Sequence, residues 1–188
     1  MKERIIIDTS VFTNPDTRVI FGKSTREAFC KFLELVRKNK EKIDFYMPPS
    51  IFEELSHFLD ERELPGDAEL VLKLKAPKRF NVQVPGFLLY ELIEEIRTRI
   101  NRGLRVAEEA LRGVESEGKD KSINRLRNKY REALRSGIID SKEDVDLILL
   151  ALELDGAIVT SDEGVKRWAE KLGIRLIQPK ALKSIMEG

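Results

Sequence analysis

Acids stand in this chain at places where acids are costly or mutually repulsive. In "RIIIDTSVF", residues 4–12, a run of three isoleucines ends on Asp8, and in "GAIVTSD" the same layout ends on Asp162. Such a run reads as a strand covered on both faces, and ionising a carboxyl at its end costs free energy unless a cation or hydrogen-bond donors compensate. Each aspartate therefore either caps the turn that follows or holds a metal ion. In "IIDSKEDVDLILLALELDG" Asp140 and Asp144 are four apart. A helix reaching back to Asp140 stacks these two carboxylates on one side, where they repel unless a cation lies between them. The same residues suit capping, because Asp140 or Ser141 can be the N-cap and early acids favour the positive end of the helix dipole. Asp146 lies about 200° round from Asp144 and faces away from that pair.

Taken together the segments shift the balance. In an open parallel sheet, ligands bind at the carboxyl ends of the strands, which is where Asp8 and Asp162 stand, and a helix N-terminus bearing Asp140 and Asp144 can open on the same side. "IFEEL" offers a fifth acid, Glu54 or its neighbour Glu53. Several carboxylates within a few ångströms cannot all stay ionised without a counter-charge. Hard oxygen ligands without a cysteine cluster select Mg²⁺ or Mn²⁺. Sites of this kind support attack of water on a phosphodiester. Thr9, Ser10, Thr160 and Ser161 can supply hydrogen bonds that hold the carboxylates.

The elements that must position these acids follow from periodicity. "RIII" and "IDFYM" read as strands, and "STREAFCKFLELVRKNK" as a helix with Ser24 as N-cap and Glu27 completing a capping box. "SIFEELSHFLD" reads as a helix capped by Ser50 after Pro49. "DAELVLKLK" suggests a short helix, and "RFNVQV" alternates loosely. "GAIV" is a further strand, "EGVKRWAEKLG" a helix closed by Gly173, and "IRLI" a last strand. Strands alternating with helices predict an α/β fold with a central parallel sheet covered on both faces. The lone His57 and Trp168 read as structural, and Cys30 beside Phe29, Phe32 and Leu33 as a core thiol. One cysteine excludes an internal disulfide and a cysteine-based zinc site.

Between Phe87 and Arg135 the pattern becomes helix alone. Leu89, Leu92, Ile93, Ile96, Ile100, Leu104, Ala107 and Leu111 recur at spacings of three and four, a stripe about 39 Å long at 1.5 Å per residue. "GVESEGKDK" then supplies a turn, and Ile123, Leu126, Tyr130 and Leu134 stripe a returning helix. We expect a helical hairpin over residues 87–136, inserted into a single domain spanning 1–188. It either projects or lies flat on the core, and its near-heptad stripe also suits self-association. Net charge is +1, yet residues 97–135 hold twelve basic residues against six acids. That segment is +6 and the remainder −5, which suggests two surfaces with different partners. No apolar run approaches the roughly 18–20 residues of a membrane span, and no signal-peptide layout opens the chain. A soluble, cytoplasmic protein with no membrane partner is expected.

At this point the residues carry a resemblance. "IIIDTSVF", "IFEEL", Asp144 with the apolar positions after it, and "IVTSD" resemble the four acidic motifs of the PIN-domain nucleases in that family's order. A closer likeness runs along nearly the whole chain: "DTSVFTNP", "FYMPPSIFEEL", "LIEEIRTRINRGLRVAEE", "LRNKYREALRSGIIDSKEDVDLILLALELDG" and "SDEGVKRWA" resemble the HARP family. Its members are minimal protein-only ribonuclease P enzymes (homologs of Aquifex RNase P), related to proteins catalogued as RNA ligase partners. The resemblance implies a PIN-like three-layer sandwich and Mg²⁺-dependent removal of 5′ leaders from precursor tRNA. It also implies a homo-oligomer of dimers, up to a dodecamer. It places the metal-binding and catalytic acids at Asp8, Asp140, Asp144 and Asp162, adds Asp146 as a further acid, and prefers Glu54 over Glu53. The hairpin becomes the family's arm for assembly and for gripping tRNA; basic residues of its +6 segment such as Arg125, Lys129 and Arg131 would then contact phosphates. Two other readings remain: an RNA-binding partner or assembly module for another RNA-processing enzyme, and a toxin-like PIN endoribonuclease.

Overall fold

The computed structural model describes residues 2–59, 66, 68–112, 119–135, 139 and 141–188. Two compact units emerge: residues 1–83 with 141–188, and residues 84–140.

The first unit is α/β. Strands β1 (Glu3–Ile7), β2 (Ile43–Met47), β3 (Lys73–Leu74) and β4 (Ala157–Val159) form one sheet in the order β3-β2-β1-β4, with every pairing parallel. Ile5, Ile6 and Ile7 are each fully buried, which requires cover on both faces and explains why β1 is written without polar alternation. The short helices α1 (Ser10–Thr13) and α2 (Pro15–Arg18) follow β1. Helix α3 (Thr25–Asn39) then packs against β2 and buries Phe29, Phe32, Leu33 and Val36. Phe12, Phe21, Phe29, Phe32 and Phe45 interlock edge to face or tilted, with ring centroids 5.2–6.5 Å apart. That is the geometry that ring quadrupoles favour.

The capping box of α3 is present in modified form. The Glu27 amide donates to Ser24 Oγ at 3.1 Å, but the Glu27 carboxylate accepts from the Lys23 amide at 2.9 Å, one residue before the cap. Helix α4 (Pro49–Ser56) begins at Pro49, so Ser50 is inside the first turn and is not the cap. Its hydroxyl is instead used for a tertiary bond. "DAELVLKLK" divides into α5 (Ala68–Val71) and the two-residue strand β3, while "RFNVQV" contributes no strand. "IRLI" supplies a single parallel bridge, Ile158 to Leu176, at the outer edge of β4. Cys30 is half-buried and free, not a core thiol.

In the second unit α6 (Phe87–Arg112) packs against α7 (Lys119–Arg135); residues 113–118 of the expected turn lie outside the described residues. The seam between the two helices runs over small groups. Ala110 and Ser122 are buried, and Gly103 sits so close to the Tyr130 ring that a Cβ there would stand 2.6 Å from it. The large apolar stripe of α6 is therefore not inside the pair. Leu89, Leu92, Ile93, Ile96, Ile100 and Leu104 remain 42–62% exposed.

The chain returns to the first unit with α8 (Lys142–Leu154), α9 (Glu163–Lys171) and α10 (Pro179–Glu187). Helix α8 packs on β1, β4 and α4, and α9 packs on α8; α10 packs on α3. Gly173, with φ of +68°, takes the left-handed conformation just beyond α9, where a side chain would be strained. No helix among the described residues is long and apolar enough to cross a membrane.

Candidate active site

Strand order locates the site before any side chain is considered. From β1 the chain steps to β2 and β3 on one side and later returns to β4 on the other, so the order reverses at β1. The crevice beyond the carboxyl ends of the strands at such a switch point is the usual ligand position in an open parallel sheet. Asp8 follows β1 directly, and Asp162 lies three residues beyond β4.

A hydrogen-bonded knot fixes Asp8. The Ser10 and Thr160 hydroxyls both donate to its Oδ2 at 2.5 Å, and its amide donates to the Val159 carbonyl at 3.1 Å. Thr160 Oγ1 also accepts the Asp162 amide, and Ser10 Oγ accepts the Ser161 amide, each at 2.9 Å. The Thr160 hydroxyl therefore serves both acids. Of the four hydroxyls expected to hold carboxylates, Ser10 and Thr160 hold Asp8 directly. Thr9 donates to the Ile51 carbonyl at 3.1 Å and Ser161 to the Ser10 carbonyl at 3.0 Å, which ties the loop after β1 to α4 and to the loop after β4. Asp162 is also the N-cap of α9, accepting from the Val165 amide at 2.9 Å.

The electrostatics are those of an acidic pocket. Burial pushes the Asp8 carboxyl above the usual aspartate range, and the Asp162 charge adds to the rise against the hydrogen bonds from Ser10 and Thr160. Glu54, on α4, is raised in the same way: first by partial burial, then by the charges of Asp8 and Glu143, against the Thr9 hydroxyl and His57. Asp8, Asp162, Glu54 and Glu143 thus press on one another in pairs. Glu143 lies outside the acids that the sequence marks. Its only signal there is its place in the first turn after Ser141, on the helix that packs against α4. His57 is exposed at the end of α4, within electrostatic reach of Glu54.

Helix α8 starts at Lys142 with Ser141 as its N-cap, whose hydroxyl accepts the Asp144 amide at 3.0 Å. The stacking of Asp140 over Asp144 requires helix back to position 140, so that geometric argument lapses. Asp140 itself lies outside the described residues. Asp144 is half-buried in the first turn. Asp146 does face away from it. Its buried carboxylate is gripped by Arg79, Nε to Oδ1 at 2.8 Å and an amino nitrogen to Oδ2 at 2.6 Å, and by Ser50 Oγ at 2.9 Å. Nothing in the sequence pattern pairs residues 67 positions apart.

The donor chemistry fits a hard divalent cation, since the acids at the switch point present carboxylate oxygens and a buried, upshifted aspartate gains from a neighbouring positive charge. Among the described residues no three His, Cys, Asp or Glu side chains converge closely enough to hold an ion by themselves. Beside the knot, Thr160, Ser161, Thr17 and Lys166 help line a hollow of about 490 Å³.

The RNA-binding residues expected from the sequence lie on α7 in the second unit. Arg131 is exposed and Arg125 half-buried, while Lys129 pairs with Glu109 of α6 at 3.6 Å.

Comparison with known proteins agrees with the fold. The family model described as PINc domain ribonuclease matches residues 4–188. The RNA-free ribonuclease P of Thermodesulfovibrio yellowstonii is 46% identical over 98% of this chain and 94% of its own. That of Pyrococcus horikoshii is 46% identical over 97% and 91%, and that of Halorhodospira halophila 42% over 98% and 89%. The chain belongs to the RNA-free ribonuclease P family of PIN-domain ribonucleases and is an endoribonuclease.

Proposed function

We propose that this protein removes the 5′ leader from precursor tRNA, using Mg²⁺ or Mn²⁺ held by Asp8, Asp140, Asp144 and Asp162. The observation that carries the reading is the buried, upshifted Asp8 at the sheet's switch point, facing further acids, in a chain that matches RNA-free ribonucleases P along nearly its whole length. A divalent cation bound there supplies Lewis acidity for attack of water on the phosphodiester and for the leaving oxygen. Ser10 and Thr160 hold the Asp8 carboxylate in one orientation, so it need not reorganise when substrate arrives. Glu54 and Glu143 add negative charge that raises the site's demand for a cation. Asp146 is engaged by Arg79 and Ser50, so it supports the site by fixing α8 and is not a metal ligand in this reading.

Arg125, Lys129 and Arg131 contact phosphates on the folded tRNA, where charge and shape position the RNA without reading its sequence. The exposed apolar face of α6 supports assembly into dimers and larger homo-oligomers, because a stripe of this length is rarely left in water by a monomer. The residue span 87–136 acts as an inserted arm of a single PIN-like domain.

Incubating the pure protein with 5′-labelled precursor tRNA and Mg²⁺, then mapping the products, tests the reading. One cut at the mature 5′ end is expected. Cuts in the anticodon loop would replace it with a toxin-like activity, and binding without cleavage with a partner role.

A further inference from the structure

Phe80 is the most exposed large apolar side chain among the described residues and is fully open to solvent. It is nonetheless held at the tip of a fastened turn. Asn81 and Val82 donate their amides to the Lys78 carbonyl at 2.7 and 3.1 Å, and Arg79 donates to Pro77 at 2.9 Å. Side chains then pin the turn to α8: Lys75 pairs with Glu153, the Lys78 amide donates to Glu153 Oε2 at 2.8 Å, and Arg79 grips Asp146. A stretch that positions an aromatic ring this firmly and leaves it unpacked among the described residues resembles a binding surface more than a core error.

Its place in the sheet says what it can bind. The turn leaves the carboxyl end of β3, the same edge from which Asp8 and Asp162 emerge, because all four strands are parallel. β3 is two strands from β1, about 10 Å at roughly 4.8 Å per strand. Of the four basic residues from Lys73 to Arg79, Lys73, Lys75 and Arg79 pair with Asp44, Glu153 and Asp146, while Lys78 is exposed next to Phe80 in the turn. Ala76, Pro77, Lys78, Arg79, Phe80 and Asn81 line a hollow of about 410 Å³. An exposed aromatic face beside an exposed lysine, on a turn that leaves the same edge of the sheet as the acids, is a combination that receives unpaired nucleotides.

We propose that the Ala76–Asn81 turn binds an unpaired nucleotide of the RNA substrate, with Phe80 stacking on its base and the exposed Lys78 facing its phosphate. The inference rests on the proposed ribonuclease reading and adds a substrate contact to it. The nucleotide comes from the 5′ leader upstream of its last residue or from the unpaired 3′ tail.

Phe80→Ala and Phe80→Trp, both at a solvent-exposed position, are compared with wild type on three precursors: with both tails, with the leader trimmed to one nucleotide, and with the 3′ tail removed. On the full precursor Phe80→Ala should raise KM about fivefold to 150-fold, the span of base stacking on an aromatic, with kcat held, and Phe80→Trp should restore it. The effect should vanish on whichever trimmed substrate lacks the stacked nucleotide. Equal KM for Phe80→Ala and wild type overturns the proposal, as does an effect that persists on both trimmed substrates. If wild type cuts no precursor, the ribonuclease reading fails separately. The stacking is then read from Phe80→Trp fluorescence against the constant signal of buried Trp168, where an oligonucleotide should quench it and absence of quenching refutes the contact.

Discussion

Asp8 concentrates the cost of the site in one side chain. Its carboxyl titrates higher in the folded protein than in the unfolded chain, chiefly because it is buried, so the folded state holds the proton where the unfolded state has released it. Stability of the metal-free protein should then fall as pH rises from the ordinary aspartate range through Asp8's own raised value, with the penalty absent below that window. Glu54 adds a shift of the same sign. Metal-free Asp8→Asn, which has no charge to bury, should melt higher than wild type at neutral pH and lose that advantage in acid. Added Mg²⁺ should raise the wild-type melting temperature and leave the variant's unchanged, since a ligand stabilises in proportion to its binding. Melting curves at acidic and neutral pH, with and without Mg²⁺, check both. Thr160 offers a finer probe, for it donates to Asp8 and accepts from the Asp162 amide. Thr160→Val keeps the volume and removes both bonds. It should lower cleavage at limiting Mg²⁺ by about 10- to 100-fold, with most of the loss recovered at high Mg²⁺, as a titration of rate against metal would show.

At the scale of elements, the Asp146–Arg79–Ser50 cluster joins α8, the turn after β3, and α4. Its two ends are unequal: the Arg79 side chain is 60% exposed and that of Asp146 only 5%. Asp146→Asn leaves a guanidinium that water can solvate. Arg79→Met leaves a buried carboxylate with the Ser50 hydroxyl as its remaining partner in the cluster, the costlier outcome. Urea unfolding should show the larger loss for Arg79→Met, and the double variant should lose less than the sum of the singles. This cluster also marks where sequence reasoning stops. Asp8 and Asp162 are legible because an acid after a buried run is anomalous by itself, β1 and β4 because a continuous apolar run between turn residues suits a buried strand, and β2 because Ile43, Phe45 and Met47 alternate with Asp44 and Tyr46. The direction of Asp146 follows from helical periodicity, but its partner does not, because no local pattern encodes a pairing with Arg79. β3 stays hidden since two residues after a short helical pattern show no period. Ser50 resembles a cap only while Pro49 stands outside the helix; with Pro49 at the first helical position the cap moves back two residues, to Pro48. Of the two caps the sequence allows, Ser141 is the one used, while Asp140 lies outside the described residues.

Over the whole molecule, charge is divided by sequence position: residues 97–135 are +6 and the rest −5. An RNA gripped through phosphates should therefore bind with a steep salt dependence, set by α7 in large part. Arg125 and Lys129 are four apart on α7, one helical turn, and so lie on one side of it. Lys129 is paired with Glu109 at 3.6 Å, yet the two side chains are 52% and 65% exposed. An ion pair in such water is weak, so the lysine can exchange its carboxylate for a phosphate with little loss. The α6 stripe adds a second consequence, since Ile93→Lys with Ile100→Lys should reduce the proposed homo-oligomer to smaller species in light scattering while leaving the α6–α7 seam at Gly103, Ala110 and Tyr130 untouched. The two surfaces can then be separated experimentally. Neutralising Arg125 and Lys129 together should leave oligomer size unchanged and flatten the plot of log binding constant against log salt by about 0.7 to 0.9 for each phosphate no longer neutralised. A variant that weakens binding with an unchanged slope would mean these residues act through the fold of the hairpin and would move the phosphate surface elsewhere on the chain. A flattened slope with normal cleavage at low salt would assign them to holding the tRNA body and leave the chemistry to the acids around Asp8.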